Sequence, residues 1–327
     1  MPEQESHTPL SIAVLMGGQS AEAEVSHKSA AQVAAALEKA GHLSQTIELD
    51  HTCTHKLLEL APDVVFPALH GPPGEDGTVQ GYLDMLGFPY VGSDVRGSAL
   101  AMDKAIAKDI FRKANLPVVD EVIVHHDHQD LKAVAQEITR RLGPSVVIKP
   151  LSQGSAIGVT PLPNGGDIPA ALAEAVVYGD CLVEPFVMGK EITCGVLEVD
   201  SKCVAHPVIE IVTETDQWYD YENRYTVGQS QHIIPALLNA TLREKIQDIA
   251  LCAHKELGLR DLSRADFIVT DTGVITLLEV NTLPGMTPTS LYPEGAAYID
   301  YPFHRLVDHL VQIAFRRGAR FIRQVKR

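Results

Sequence analysis

The chain has 327 residues, 45% of them hydrophobic, with 27 basic against 42 acidic residues and a formal net charge of −15. This length and apolar content suit about two or three domains with real cores. The acidic excess argues against nucleic acid or an anionic membrane as the main partner, since both select for basic surface.

The opening MPEQESHTPL lacks the charged-then-apolar pattern of a secretion signal, and no apolar run approaches the ~18 residues of a membrane span. The expected setting is the cytoplasm. Cys53, Cys181, Cys194, Cys203 and Cys252 are an odd set without Cys-x-x-Cys spacing, so they read as reduced filler rather than a disulfide framework or zinc cluster.

Residues 10–16 read as a short apolar strand ending in Gly17-Gly18, with Ser20 as the cap of a helix that carries Glu22 and Glu24 and stops before Gly41. Neither G-x-G-x-x-G nor G-x-x-x-x-G-K-[ST] occurs, so a nucleotide site must be of another kind. Strands are expected at 44–49 and 63–69, the latter running into His70-Gly71-Pro72-Pro73-Gly74, a loop placed where open α/β sheets bind ligands or make a plain surface turn. One helix is expected over 98–113, containing Met102-Asp103-Lys104, and a domain boundary near residue 100.

A second group of strands is expected at 118–124, 145–150 and 181–186, with an amphipathic helix over 129–142. Lys149 ends its strand and is followed by a small-residue loop, Ser152 to Val159, whose N–H groups can wrap phosphate or simply turn the chain. A hairpin at 193–211, a polar and aromatic loop at 216–230 that reads as a lid, and a helix over 238–257 follow.

Residues 263–291 are the most informative stretch. Two β-forming runs, 265–269 and 274–280, flank Thr270-Asp271-Thr272-Gly273 and read as a hairpin. An even-membered loop puts Asp266 on the same face as Glu279 and Asn281, and an odd one breaks that arrangement. Two carboxylates and an amide oxygen form a hard ligand set suited to Mg²⁺ shared with phosphates, the alternative being a solvated strand face.

Six motifs then stand in order: GGQSAEAEVS (17–26), ALHGPPGEDGTVQG (68–81), MDK (102–104), KPLSQGSAIGV (149–159), YDYENRY (219–225) and EVNTLPGMTPTSL (279–291). Together they resemble the D-alanine:D-alanine ligase family of the ATP-grasp superfamily, over about residues 12–292. The resemblance implies an α/β, ATP-grasp fold: a Rossmann-like domain at 1–100, a central ATP-grasp subdomain at 101–185 and a C-terminal one at 186–327, with ATP between the two antiparallel sheets. It implies ATP-dependent joining of two D-alanines through an acyl phosphate for peptidoglycan precursors, in a cytoplasmic homodimer that binds neither nucleic acid nor membrane.

By the same resemblance, Asp266, Glu279 and Asn281 hold two Mg²⁺ ions, with Mn²⁺ as a substitute. Lys104, Lys149 and Arg224 contact the ATP phosphates, and Glu184 and Glu191 contact adenine and ribose. Glu22 fixes the first D-alanine's ammonium beside a network of Ser155 and Tyr225, near His70. Arg264 and the backbone of Gly285 stabilise the oxyanion, and Ser290 with Leu291 receive the second carboxylate. Three positions depart from the family pattern: Pro185, Ala156 in place of a serine, and Arg224 in place of a lysine, which keeps the charge but changes its geometry. A ligase for another D-amino acid dipeptide and an ATP-binding protein without ligase chemistry are the other readings. The second is disfavoured because the ligand residues are all present.

Overall fold

Ser11–Met16 and Val64–Pro67 are continuous apolar strands buried on both faces, the pattern of a parallel sheet covered by helices. In the computed structural model of the chain, which describes residues 8–18, 20, 22–154, 156–213 and 230–320, the first elements are β1 (Ser11–Met16), α1 (Ala23–Lys39), β2 (Leu43–Glu48), α2 (Cys53–Leu60), β3 (Val64–Pro67) and α3 (Thr78–Leu86). The strands pair in parallel in the order β2-β1-β3. Ala13, Leu15, Ile47, Leu57, Val65 and Leu83 form their core.

The next elements are α4 (Val95–Met102), α5 (Lys104–Lys113), β4 (Val122–Val124), α6 (Leu131–Leu142), β5 (Val146–Pro150), β6 (Thr160–Leu162), α7 (Ile168–Ala175) and β7 (Cys181–Pro185). The single helix expected over 98–113 is two helices. Asp103 breaks it because its side chain accepts hydrogen bonds from the N–H groups of Ala105 and Ile106, each at 3.0 Å, and so starts a new helix as its N-cap. Strands β4-β7-β5-β6 form an antiparallel sheet. One face carries Val122, Val124, Val146, Ile148, Cys181 and Val183 into a core with α6 and α7, and the alternate positions Val147, Lys149, Leu182 and Glu184 share the other face.

A larger antiparallel sheet follows: β8 (Lys190–Val199), β9 (Lys202–Ala205), β10 (Ile209–Thr213), β11 (Ser230–Ile233), then α8 (Ala240–Glu256), β12 (Leu262–Val269) and β13 (Ile275–Asn281), in the order β11-β10-β8-β12-β13 with β9 also on β8. Ile192, Cys194, Val196, Ala265, Phe267, Leu277 and Val280 form the core face against α8 and Phe111 of α5. Last come α9 (Leu291–Ala297) and α10 (Phe303–Arg317).

The chain divides into two compact units, Arg96–Thr282 and a unit joining Met1–Val95 to Leu283–Arg327. Residues 283–327 thus fall in the same compact unit as the first 95 residues. Helix α10 packs on α1 and buries Leu306, Leu310 and Val311, while Asp308 lies 2.9 Å from His42 Nε2 and Arg317 donates to the Tyr90 carbonyl at 2.7 Å. Among the described residues no helix is long and apolar enough to cross a membrane.

Two histidines sit in the larger unit's core. His206 occupies the space left by the missing side chain of Gly195, whose Cβ would lie 2.2 Å from Nδ1, and His254 of α8 meets the Ser263 hydroxyl of β12 at 2.8 Å. Burial lowers their pKa values to about 3 and about 4, with Asp261 partly offsetting this at His254. Both are neutral when folded and protonate more readily when unfolded. Their contribution is fully present above pH 6.5 and is lost as pH falls from 6.5 toward those values, at about 1 kcal/mol per histidine per pH unit. Urea midpoints should therefore drop from pH 7.5 to 5.5, and less in a His254→Gln variant. An equal drop in both proteins would contradict this.

Candidate active site

The polar face of the larger sheet follows from strand register. Antiparallel pairing sets Asp266 opposite Glu279, Arg264 opposite Asn281, Asp266 also opposite Thr193, and Ile268 opposite Glu191. Directly paired residues share a face, so Glu191, Thr193, Arg264, Asp266, Glu279 and Asn281 converge on the side away from the core. The connection is not even-membered as that convergence seemed to require: five residues, 270–274, separate the strands. The register shifts between Asp266 and Phe267, so that Leu277 pairs with Phe267, Glu279 pairs with Asp266, and Leu278 is the extra residue of a β-bulge. An odd loop and a one-residue bulge restore the parity.

Asp266 is firmly oriented. Arg264 donates to it through a planar fork, Nε to Oδ1 at 2.8 Å and Nη2 to Oδ2 at 2.7 Å, and the Thr193 hydroxyl donates to Oδ1 at 2.6 Å. Among the described residues no three carboxylates, imidazoles or thiolates gather as a complete metal cage. Two carboxylates and an amide instead suit an oxygen-seeking ion whose remaining ligands are phosphate oxygens and water, and the donor set fits Mg²⁺ on those grounds.

Helix α5 brings cations to this face. Lys104, its first residue, donates to the Gln153 carbonyl at 2.7 Å and lies 3.3 Å from Glu279 Oε2, tying the small-residue loop to the metal-type ligands. Lys149 of β5 lies 2.5 Å from Glu184 Oε2 on the adjacent strand β7. The other Glu184 oxygen accepts from Lys108, a buried lysine the sequence reading passed over. The signal for it was present: Lys104, Lys108 and Arg112 recur every four residues and so form one stripe of α5.

Burial opposes charge on both Lys149 and Glu184, but their partners outweigh it. Glu184 and Glu279 raise the Lys149 ammonium above the usual lysine range, and Lys149 and Lys108 hold the Glu184 carboxyl below the usual carboxylate range. The Glu184 carboxylate, expected beside adenine, is therefore occupied by two lysines. The loop itself turns through hydrogen bonds from Ile157 N–H to the Gly154 carbonyl, 3.0 Å, and from Val159 N–H to the Ala156 carbonyl, 3.2 Å. Ser155, Arg224 and Tyr225, and the expected lid apart from Ser230, lie outside the described residues.

In the other unit, Glu22 is buried at the start of α1. Its N–H donates to Ser20 Oγ at 3.1 Å, and that hydroxyl donates to the His70 carbonyl at 2.7 Å. Ser20, expected as the helix cap, thus links two loops while Glu22 takes the N-cap position. His70 Nε2 meets Ser29 Oγ at 3.1 Å. Gly71 has a φ of +67°, and a Cβ there would lie 2.7 Å from Glu22 Oε2, so glycine lets the His70 loop close over this carboxylate. Separately, Ser290 Oγ accepts from Thr287 N–H at 3.2 Å and lies 3.1 Å from where a Cβ on Gly285 would stand, and Leu291 opens α9.

Family profiles described as D-ala D-ala ligase N-terminus and C-terminus match residues 50–93 and 110–312. A D-alanine--D-alanine ligase of Desulforudis audaxviator (strain MP104C) is 43% identical over 312 residues, covering 94% of this chain and 99% of that protein. The chain belongs to the D-alanine--D-alanine ligase family. Solved relatives include a D-alanine--D-alanine ligase from Bacillus anthracis complexed with ATP (TM-score 0.78, 30% identity, 94% of this chain and 98% of that one). A D-Ala:D-Ser ligase from Enterococcus faecalis is equally similar (TM-score 0.80, 30% identity, 94% and 100%). The fold is accordingly the α/β, ATP-grasp fold of these ligases.

Within this family fold, Gly158 sets the shape of the small-residue loop. Its φ is +69°, and a Cβ would lie 2.8 Å from the Tyr178 ring and 2.9 Å from Pro150 Cγ. Gly158→Ala is expected to cost about 1–2 kcal/mol locally, from the left-handed conformation. Hydrogen exchange over 151–159 should rise at least ~5-fold, by the arithmetic of such a cost, with exchange in β8 and β12 unchanged. Unchanged exchange in the loop would refute this role.

Proposed function

We propose that the chain is an ATP-dependent ligase that joins two D-alanine molecules into D-alanyl-D-alanine for peptidoglycan precursors, acting in the cytoplasm as a homodimer. The observation that carries this reading is the register-paired face of Arg264, Asp266, Glu279 and Asn281 with Lys104 joined to it. Near-full-length relatives bearing the D-alanine--D-alanine ligase name support it.

A carboxylate is a poor electrophile. ATP phosphorylates the first D-alanine to an acyl phosphate, the second D-alanine's amine attacks its carbonyl, and phosphate leaves, so each turn yields one ADP, one phosphate and one dipeptide. Most of the acceleration in such a reaction comes from positioning and charge neutralisation. Asp266, Glu279 and Asn281 would hold two Mg²⁺ ions, which would supply charge neutralisation at the phosphates. Lys104 and Lys149 present fixed ammonium groups to the phosphates, with Arg224 from the lid, and Glu184 and Glu191 frame the nucleoside. Arg264, steadied by Asp266, and the Gly285 N–H receive developing negative charge. Glu22, with His70 near it, binds the first substrate's ammonium, Ser155 and Tyr225 take the substrate-network roles that the resemblance gives them, and Ser290 with the Leu291 N–H takes the second carboxylate.

Phosphate release from ATP should be stimulated at least ~10-fold by D-alanine, with one dipeptide formed per phosphate, as coupled acyl transfer requires. D-alanine-independent hydrolysis, or none, would favour an ATP-binding protein without ligase chemistry. Preferential incorporation of another D-amino acid in a mixture would favour a specialised dipeptide ligase.

A further inference from the structure

Between the small sheet and α5 runs a chain of alternating charges that reaches from the site to the surface. Lys149 is bound to Glu184 Oε2 at 2.5 Å, Glu184 Oε1 to Lys108, Lys108 to Glu121 Oε2 at 3.0 Å, and Glu121 to Arg112 through two donated hydrogen bonds of 2.6 and 2.8 Å. Lys108 and Glu184 are both almost wholly removed from solvent, with side chains 1% and 2% exposed. Burial of two charges is costly unless each has a partner in good geometry, which is why the chain must be complete.

Its charge balance is informative. Arg112 is matched by both Glu121 and Asp109, the latter at 2.8 Å, whereas at the buried end two lysines meet one carboxylate, Glu184. Lys149 and Lys108 divide a single carboxylate, and without Lys108 the Glu184 charge would be neutralised by Lys149 alone. Less of the Lys149 charge would then be left for an incoming anion.

We propose that Lys108 is a positioning residue for ATP binding: by sharing Glu184 with Lys149, it fixes the Lys149 ammonium and leaves its charge available to the phosphates. This rests on the reading of Lys149 as an ATP contact. The Lys108 side chain is enclosed by the two carboxylates and only 1% exposed. Its other partner, Glu121, is anchored to Arg112 one turn along α5, and Lys104, one turn before, holds the small-residue loop, so three successive turns of one helix orient the nucleotide side of the site.

The test is a double-variant cycle read by calorimetry of Mg-ATP binding in the absence of D-alanine, on the full chain. Lys108→Met should weaken ATP binding about 10-fold, while the KM for D-alanine stays within about 2-fold. Lys108→Arg should recover a large part of the affinity. In a Lys149→Met background, Lys108→Met should add less than about 2-fold, because its effect is transmitted through Lys149. Lys108→Gln, which keeps a donor to Glu184 without the charge, carries the same expectation if Lys108→Met does not fold.

An equal loss from Lys108→Met in both backgrounds, or a rise in the D-alanine KM as large as the loss of ATP affinity, would mark a general structural role and overturn the proposal. ATP binding weakened by Lys149→Met but not by the Lys108 variants would overturn it while leaving the ATP site standing. Unchanged binding in Lys149→Met would overturn both.

Discussion

Everything on the metal-type face depends on one pairing, Asp266 opposite Glu279. Strand side chains alternate, so a one-residue error in this hairpin would turn Glu279 and Asn281 into the core and bring Val280 out to the polar side. The five-residue connection carries that error and the bulge at Leu278 removes it. The same register puts Arg264 beside Asn281, and Thr193 and Glu191 of the neighbouring strand on the same side.

Both antiparallel sheets use the same economy of design. One face of each is apolar and joined to helices, and the opposite face carries charge: Lys149 and Glu184 on the smaller, Asp266 and Glu279 on the larger. Helix α5 links the polar faces, with its apolar side contributing Phe111 to the core and its Lys104, Lys108 and Arg112 stripe bound to carboxylates from three other segments. Such ion pairs add modest net stability, because desolvation offsets much of their attraction. What they do fix is the direction in which the cations point, and under the proposed function that is the preorganisation phosphoryl chemistry rewards.

The legible parts of the sequence were those governed by periodicity and by local punctuation. Apolar runs marked β1, β3, β5, β7 and the β12–β13 hairpin, and Gly41 and Gly143 marked helix ends. The less legible parts depend on tertiary context. A bulge has no signature in alternation, because Leu277 and Leu278 are both apolar and either could face the core. The break at Asp103 was visible as a capping residue type but lay inside a helical pattern that ran through it. Lys108 looked like an ordinary solvated lysine, since nothing local announces that Glu184 and Glu121, 76 and 13 positions away, enclose it. The return of residues 283–327 to the N-terminal unit depends on long-range packing of α10 on α1. The candidate site residues were assigned by resemblance from motif order, and of these Ser155, Arg224 and Tyr225 lie outside the described residues.

The most direct test of the paired face is the binding of Mn²⁺, as a paramagnetic substitute for Mg²⁺, followed by electron paramagnetic resonance with a non-hydrolysable ATP analogue. Two ions should bind per chain in the unaltered protein, and Glu279→Gln, which keeps side-chain size and removes one charged oxygen ligand, should weaken at least one of them about 10-fold or more. The variant's circular dichroism should be unchanged. Equal Mn²⁺ affinity in a folded Glu279→Gln protein would show that the face built by the Asp266–Glu279 register does not hold the metal.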